Sequence, residues 1–186
     1  MKRILYTLPL LLAPSMALAH PGHGFGFEAG FLHPFTGADH LLAMTGVGLW
    51  AAMLGGRARW ALPVMFLTMM ALGGAFAMQS GLGALEYAVE PAILATVILL
   101  GAVVALALRA PLLVGLPMVG LFGLAHGAAH GMEMQGNGLA FGAAMLAATA
   151  LLHAAGLTLG LTLNRNALRA AGVAAVACGL TLAFAG

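Results

Sequence analysis

Charged residues and cysteine are both scarce in this chain of 186 residues. Only 6% of the residues are charged, whereas 62% are hydrophobic, and the mean hydropathy is +1.05. A soluble domain carries roughly a quarter charged residues, so no water-soluble fold hides this much apolar surface, and the solvent is a lipid bilayer. The single cysteine, Cys178, excludes an intramolecular disulfide and a cysteine-rich metal site. The basic residues form no cluster that would meet phosphates, which excludes a nucleic-acid partner.

The amino-terminal residues have the pattern of a cleavable signal peptide. A basic start and an apolar core lead to the small-x-small sequence "ALA" at 17–19, which is typical of a cleavage site. We therefore expect a signal peptide over 1–19 and a mature domain over 20–186. The alternative is an uncleaved first helix, which Pro9 and Pro14 disfavour because proline disrupts helix interiors.

Six apolar stretches follow, each long enough to cross a hydrocarbon core of about 30 Å at about 1.5 Å per residue. They cover approximately 34–54, 61–81, 91–108, 111–131, 138–162 and 167–185. Pro34, Pro91 and Pro111 are expected in the first turns of their helices, where a missing N–H costs little. The sequence thus predicts an all-α polytopic membrane protein with six transmembrane helices in a single domain.

Charge placement predicts the orientation of these helices. The mature chain has its basic residues at the first, third and fifth connections, namely Arg57, Arg59, Arg109, Arg165 and Arg169. Its acids lie at the opposite ends of the spans, namely Glu28, Asp39, Glu86, Glu90 and Glu133. Arginine-bearing connections favour the cytoplasm, and a cleaved signal places the mature amino terminus in the periplasm. We therefore expect a multi-pass protein of the bacterial inner membrane. The first and fourth spans carry the polar motifs, which is the spacing of a three-plus-three inverted repeat.

Histidines are grouped on the predicted periplasmic side. The tail "HPGHG" holds His20 and His23, the first span opens with His33, Asp39 and His40, the fourth closes with His126, His130 and Glu133, and His153 lies within the fifth. The seven-residue spacing in the first span and the i, i+4, i+7 spacing in the fourth each predict one shared helix face. His153 lies deeper, so the histidines form a ladder leading inward from the periplasm.

Imidazole and carboxylate groups without thiols suit divalent first-row metal ions. Intramembrane ionisable residues are functional candidates by default, and the alternative is that these groups satisfy one another as interhelical hydrogen bonds. Glycines at 123, 127 and 131 recur every four residues beside the fourth-span histidines. They predict close helix packing that fixes the imidazoles, although packing alone also explains them. The methionines, Met70 among them, are interpreted as core filler, with Met132 and Met134 the pair to watch.

The two histidine motifs resemble those of a known family. "HPFTGADH" at 33–40 and "HGAAHGME" at 126–133, preceded by a signal and "HPGHG", resemble the signatures of the HupE/UreJ family of nickel/cobalt permeases. The resemblance covers essentially the whole chain. Five residues separate His33 from Asp39, so the motif differs from the H-x4-D-H signature of the separate nickel/cobalt transporter family, whose mechanism is not transferred.

The resemblance implies uptake of Ni²⁺ or Co²⁺ across the inner membrane, for metalloenzymes such as urease and hydrogenase or for cobalamin synthesis. Transport is then the expected function, with the metal ion as substrate, no enzyme activity and no permanent cofactor. The sequence leaves open nickel against cobalt, a metallochaperone partner and homo-oligomerisation. Two alternatives use the same residues: a membrane-embedded zinc hydrolase, with Asp39 or Glu133 as base, and a haem protein with axial histidines.

Overall fold

The structure is a computed structural model that describes residues 26–80, 83–133 and 137–185, apart from the side chains of residues 84 and 133. Within these ranges the chain forms helices α1 (Phe27–Thr36), α2 (Ala38–Leu54), α3 (Ala58–Ser80), α4 (Glu86–Ala105), α5 (Leu112–Glu133), α6 (Gly138–Thr162) and α7 (Arg165–Ala185), with a 3₁₀ turn at Gly83–Leu85. The all-α prediction is confirmed. Five helices, α3 to α7, are long and apolar enough to cross a membrane, and α2 is a shorter apolar helix. The predicted signal peptide lies outside the described residues.

The prediction of one continuous first helix over 34–54 is wrong. Two helices occupy this stretch, and Gly37 between them is extended, with φ −94° and ψ 123°. A Cβ on Gly37 would lie 2.8 Å from Asp39 Oδ1 and 3.1 Å from His40 Nδ1. Glycine at this position therefore lets the backbone pass close to the first polar side chains of α2.

The first-turn prediction is also wrong for two of the three prolines. Pro34 lies near the end of α1, and Pro91 lies inside α4, which begins five residues earlier at Glu86. Interior prolines are tolerated in apolar helices because neighbouring groups satisfy the freed carbonyls. Pro111 directly precedes α5, and its carbonyl accepts hydrogen bonds from the amides of Val114 and Gly115.

Close contacts at glycine pair α3 with α5. A Cβ added at Gly123 would overlap the carbonyl of Phe66, and one at Gly127 would overlap the carbonyl of Met70. Four residues along α5 thus correspond to four residues along α3. The two helices therefore run parallel, with their backbones in contact, as small residues at this spacing allow.

A second pair of this kind joins the α1–α2 segment to α6. Gly30 of α1 faces the carbonyl of Phe141, and Gly156 of α6 faces the carbonyl of Thr45. Both contacts have the same offset along the chain. The α1–α2 segment therefore runs parallel to α6 and stays in contact with it on both sides of the break at Gly37.

Helices α4 and α7 form a third pair, in which the direction is reversed. A Cβ on Gly172 would overlap the backbone of Ala105, and one on Gly179 would lie 2.9 Å from Cγ1 of Ile98. The residue number rises along α4 as it falls along α7, so these two helices are antiparallel.

The outside of the bundle is apolar, as a lipid-facing surface requires. Leu113, Leu139 and Phe184 are 85%, 83% and 88% exposed. Inside, Trp50 is buried and its Nε1 donates a hydrogen bond of 3.1 Å to the carbonyl of Leu108. Exposed apolar side chains around a buried core identify a multi-pass membrane protein.

Candidate metal site

Four imidazoles from three helices meet near one end of the bundle. His40 of α2 is central, with ring centroids 4.6 Å from His130 and 5.4 Å from His126, both of α5. His33 of α1 closes the group at 5.5 Å from His40 and 4.8 Å from His130. His40, His126 and His130 are buried, and His33 is partly exposed. The break at Gly37 turns α1 so that His33 reaches the histidines of α5.

The spacing of three of these histidines is compatible with one shared ion. His33, His40 and His130 each offer a ring nitrogen, and these atoms lie within 4.8 Å of one another. Nitrogens that bind one ion at about 2.1 Å are at most about 4.2 Å apart. Small side-chain rotations would therefore bring the three nitrogens to coordination distance.

Asp39 contacts His40 rather than the centre of the cluster. Its Oδ1 lies 2.9 Å from His40 Nδ1, and both side chains are largely buried. A carboxylate beside one ring nitrogen fixes the orientation of the imidazole and directs the other nitrogen toward an ion. The contact therefore points to Nε2 as the ligand atom of His40.

His126 has its tautomer fixed by the helix backbone. Its Nδ1 lies 2.9 Å from the carbonyl oxygen of Phe122. Because a carbonyl oxygen only accepts, Nδ1 carries the proton and Nε2 carries the lone pair. That Nε2 atom is buried and has no hydrogen-bond partner in the described structure. His126 thus presents an available ligand atom at the inner edge of the cluster.

His153 stands apart from the other four and lies across an aromatic ring from them. The ring of Phe66 is 5.4 Å from His126 and 5.0 Å from His153. His153 Nδ1 lies 2.7 Å from the carbonyl oxygen of Met44, so this imidazole also directs an unprotonated Nε2 into the interior. Phe66 therefore separates His153 from the other histidines. The inward order from the tail to His153 stays a prediction, because His20 and His23 lie outside the described residues.

A cavity of about 420 Å³ borders the cluster between α3, α5 and α6. His130 lies on its wall, together with Gly127, Gly142 and Met145. His130 thus connects the histidine cluster to this cavity.

Three further candidate ligands lie outside the part of the chain that the structure describes. His20 and His23 are outside the described residues, and so is the side chain of Glu133. Phe66 was missed by the sequence analysis. It is an aromatic residue in an apolar helix, and its place between two histidines depends on α3 packing against α5, which no local pattern reveals.

The fold and this site define a class of protein: a multi-pass helical membrane protein with a buried cluster of imidazoles. Comparison with known proteins gives the family. The profile described as "HupE / UreJ protein" matches residues 8–182, and the chain belongs to the HupE/UreJ family, as its motifs predicted. It is similar to Protein HupE of Rhizobium leguminosarum bv. viciae, at 43% identity over 160 residues that cover 84% of this chain and 82% of the relative. No solved structure matches the chain.

Proposed function

We propose that the protein is a secondary transporter that takes up Ni²⁺ or Co²⁺ across the bacterial inner membrane. The observation that carries the proposal is the meeting of four imidazoles, contributed by α1, α2 and α5, inside an apolar bundle. The buried Nε2 atom of His126 has no hydrogen-bond partner in the described structure, and a bound ion would compensate the cost of burying it. Family membership agrees with metal transport, and imidazole is a suitable ligand for both ions.

The proposed protein crosses the membrane six times. The α1–α2 segment follows α6 from Gly30 to Thr45 and beyond, which supports treating the two shorter helices as one crossing. The arginine-bearing ends of the helices then face the cytoplasm, and the mature amino terminus faces the periplasm. The histidine cluster lies at the periplasmic end in this orientation.

The helix pairing also supports an inverted repeat of three crossings plus three. Such a repeat relates the first, second and third crossings to the fourth, fifth and sixth. It would exchange the α2·α6 pair with the α5·α3 pair and return the α4·α7 pair to itself. Two parallel pairs and one antiparallel pair are the directions that this exchange requires.

The ion would be captured in steps. The tail histidines, His20 and His23, bind it first on the periplasmic side, and Glu133 belongs to the site that receives it next. His33, His40, His126 and His130 then bind it, while Asp39 orients His40 and offsets the ionic charge. His153 takes part closer to the cytoplasm. Several moderate sites favour transport because the ion must leave as readily as it enters.

The membrane potential is sufficient to drive this uptake. An inside-negative potential contributes roughly 2.3 kcal/mol per charge per 100 mV, or about 4.6 kcal/mol for a divalent ion. That corresponds to an accumulation of more than about a thousandfold, since about 1.4 kcal/mol is tenfold. Facilitated diffusion would therefore be sufficient without nucleotide hydrolysis, and proton coupling is the alternative, because metal binding displaces protons from histidines.

The alternative functions gain no support. For a haem, His126 or His130 would pair with His40 or His153. The rings of His126 and His130 are 5.4 Å and 4.6 Å from that of His40, which leaves no room for a porphyrin between them, and Phe66 contacts both His126 and His153. A zinc hydrolase needs a carboxylate base facing a metal-bound water, whereas Asp39 contacts the ring of His40.

The test is uptake of nickel and cobalt by cells, or by membrane vesicles of known orientation, that carry the His40→Ala or the His126→Ala protein. We expect uptake to fall to background in both variants at unchanged membrane abundance. Thr68→Ala is the matched control, because its exposed hydroxyl only bonds the carbonyl of Val64 in its own helix. Full uptake by both histidine variants would refute the proposal. Competition among nickel, cobalt, zinc and copper, with and without an imposed potential, would identify the ion.

A further inference from the structure

Thr149 differs from every other serine and threonine in the described ranges. The others donate their hydroxyl hydrogen to a carbonyl three or four residues earlier in the chain; they are Thr36, Thr45, Thr68, Ser80, Thr96, Thr158, Thr162 and Thr181. Thr149 instead donates to the thioether sulfur of Met44 at 3.2 Å and approaches that of Met70 at 3.8 Å. Thioether is a weak acceptor, so this arrangement is set by the packing of three helices around the hydroxyl.

The residues around the Thr149 hydroxyl are linked to His153 in two ways. Met44 accepts the Nδ1 hydrogen of His153 through its backbone carbonyl. Thr149 and His153 are four residues apart in α6 and therefore share one helix face. Met44, Met70, Thr149 and His153 are 0%, 3%, 0% and 2% exposed. The two sulfurs thus meet at the buried Thr149 hydroxyl, and the His153 imidazole lies about one helical turn further along α6.

His153 supplies the independent sign that this group binds something. Its Nε2 is buried, has no hydrogen-bond partner in the described structure and carries a lone pair. Leaving such an atom without a partner costs free energy. Core packing alone explains the methionines. It does not explain why the hydrogen bond from Nδ1 of His153 to Met44 holds the unpartnered Nε2 atom of the same ring in the buried interior.

We propose that Met44, Met70 and His153 form an inner metal site, separate from the histidine cluster, that holds the transported ion through two thioether sulfurs and one imidazole nitrogen. This inference rests on the proposed transport function and adds a second, softer site to it. All three ligands are neutral, so they do not trap a divalent cation as a carboxylate would. Imidazole suits Ni²⁺, whereas thioether prefers softer metals and therefore adds only weak binding. Such a site suits brief occupancy between capture and release.

Thr149 would position the sulfurs of this inner site. In the ion-free state its hydroxyl hydrogen holds Met44 and Met70 together. When an ion takes the sulfur lone pairs, the hydroxyl can turn to the carbonyl of Met145, four residues earlier, which is the bond that the other threonines make. Thr149→Val keeps the shape and removes this hydrogen.

The test is X-ray absorption spectroscopy of Co²⁺ bound to purified full-length protein that carries Cys178→Ser together with His40→Ala and His130→Ala. The first change removes the one thiol, so any sulfur in the coordination shell must come from methionine. The other two remove His40 and His130, whose ring centroids lie 4.6 Å apart within the histidine cluster. We expect sulfur in the shell, and we expect Met44→Leu with Met70→Leu to remove it and to weaken Co²⁺ binding at least about tenfold.

Met69→Leu is the matched control, since Met69 adjoins Met70 but packs against Gly120 of α5, and we expect it to keep the sulfur signal. Thr149→Val provides a second variant of nearly unchanged volume, with weakened binding expected. A shell of nitrogen and oxygen only, or no Co²⁺ binding at all, would overturn the inner site. A different result would refute the transport proposal. If the wild-type protein takes up no ion but its methionines bind Co²⁺, the inner site is supported and transport is refuted.

Discussion

The α3·α5 and α4·α7 pairs both make backbone contacts at glycine, although the first pair is parallel and the second antiparallel, and they differ in the side chains beside those glycines. Gly127 brings α5 against the backbone of Met70, and Gly172 brings α7 against the backbone of Ala105. Only the first pair holds histidines beside its glycines. Glycine at this spacing therefore reports close helix packing wherever it occurs, and the histidines make one of the two interfaces a candidate site.

Gly127→Leu should have the largest effect on uptake. Its side chain would overlap the Met70 backbone, so α5 must move away from α3 and displace His126 and His130. We expect a loss of stability of about 3 kcal/mol or more and uptake at background. Thermal unfolding of the purified protein and vesicle uptake measure the two effects. Gly120→Ala is the control, because the nearest atoms to its Cβ would be side-chain atoms of Met65 and Met69 at 3.4 Å. A Gly127→Leu protein with normal uptake would contradict the packing argument.

Gly37→Ala should come next, with an effect on metal binding more than on folding. The backbone conformation at Gly37 suits any residue, but the added methyl group would press on Asp39 Oδ1 and His40 Nδ1. Disturbing such an orienting contact typically weakens metal affinity 10- to 100-fold, and we expect about tenfold here. Isothermal titration with Ni²⁺ would measure it, alongside unfolding curves. Asp39→Asn offers a comparison that perturbs the same contact without adding volume, and unchanged affinity in both variants would show that the contact is dispensable.

Gly172→Val tests the other side of the comparison. The valine would overlap the Ala105 backbone, so we expect a loss of about 1–3 kcal/mol of stability. Because α4 and α7 contribute no residue to the histidine cluster, the folded protein should bind Ni²⁺ with unchanged affinity. Uptake would then fall only as far as the amount of protein in the membrane falls. A change in affinity per folded molecule would mean that the two interfaces are coupled.

Much of this architecture follows from local sequence patterns. Length and apolar content predict the helices, and the 138–162 span matches α6 at both ends. The spacing of His126 and His130 predicts one shared face of α5, and the structure brings both to His40. Such features depend on residues close in sequence, where the helical period fixes the geometry.

The features that could not be predicted are those decided by contacts between distant residues. The break at Gly37 is one, because an "FTGAD" sequence also fits a continuous helix. Phe66 reaches its place between His126 and His153 only through the α3·α5 packing. Met70 was interpreted as core filler, and nothing in its neighbourhood along the chain indicates the contact with Thr149. In each case the sequence shows the residue type, while the partner is set by the tertiary fold.

Trp50→Phe should have the smallest effect on uptake. It tests whether the end of α2 that lies far from the histidine cluster matters for transport. His40 lies at one end and Trp50 at the other, where its Nε1 bonds the carbonyl of Leu108 in the connection that leads to Arg109. Losing this hydrogen bond should cost about 1 kcal/mol, seen as a lower unfolding temperature. The histidine cluster is more than two helical turns away, so Ni²⁺ affinity and uptake per folded molecule should stay at the wild-type level. Reduced uptake at normal abundance would indicate instead that the end of α2 that carries Trp50 takes part in transport.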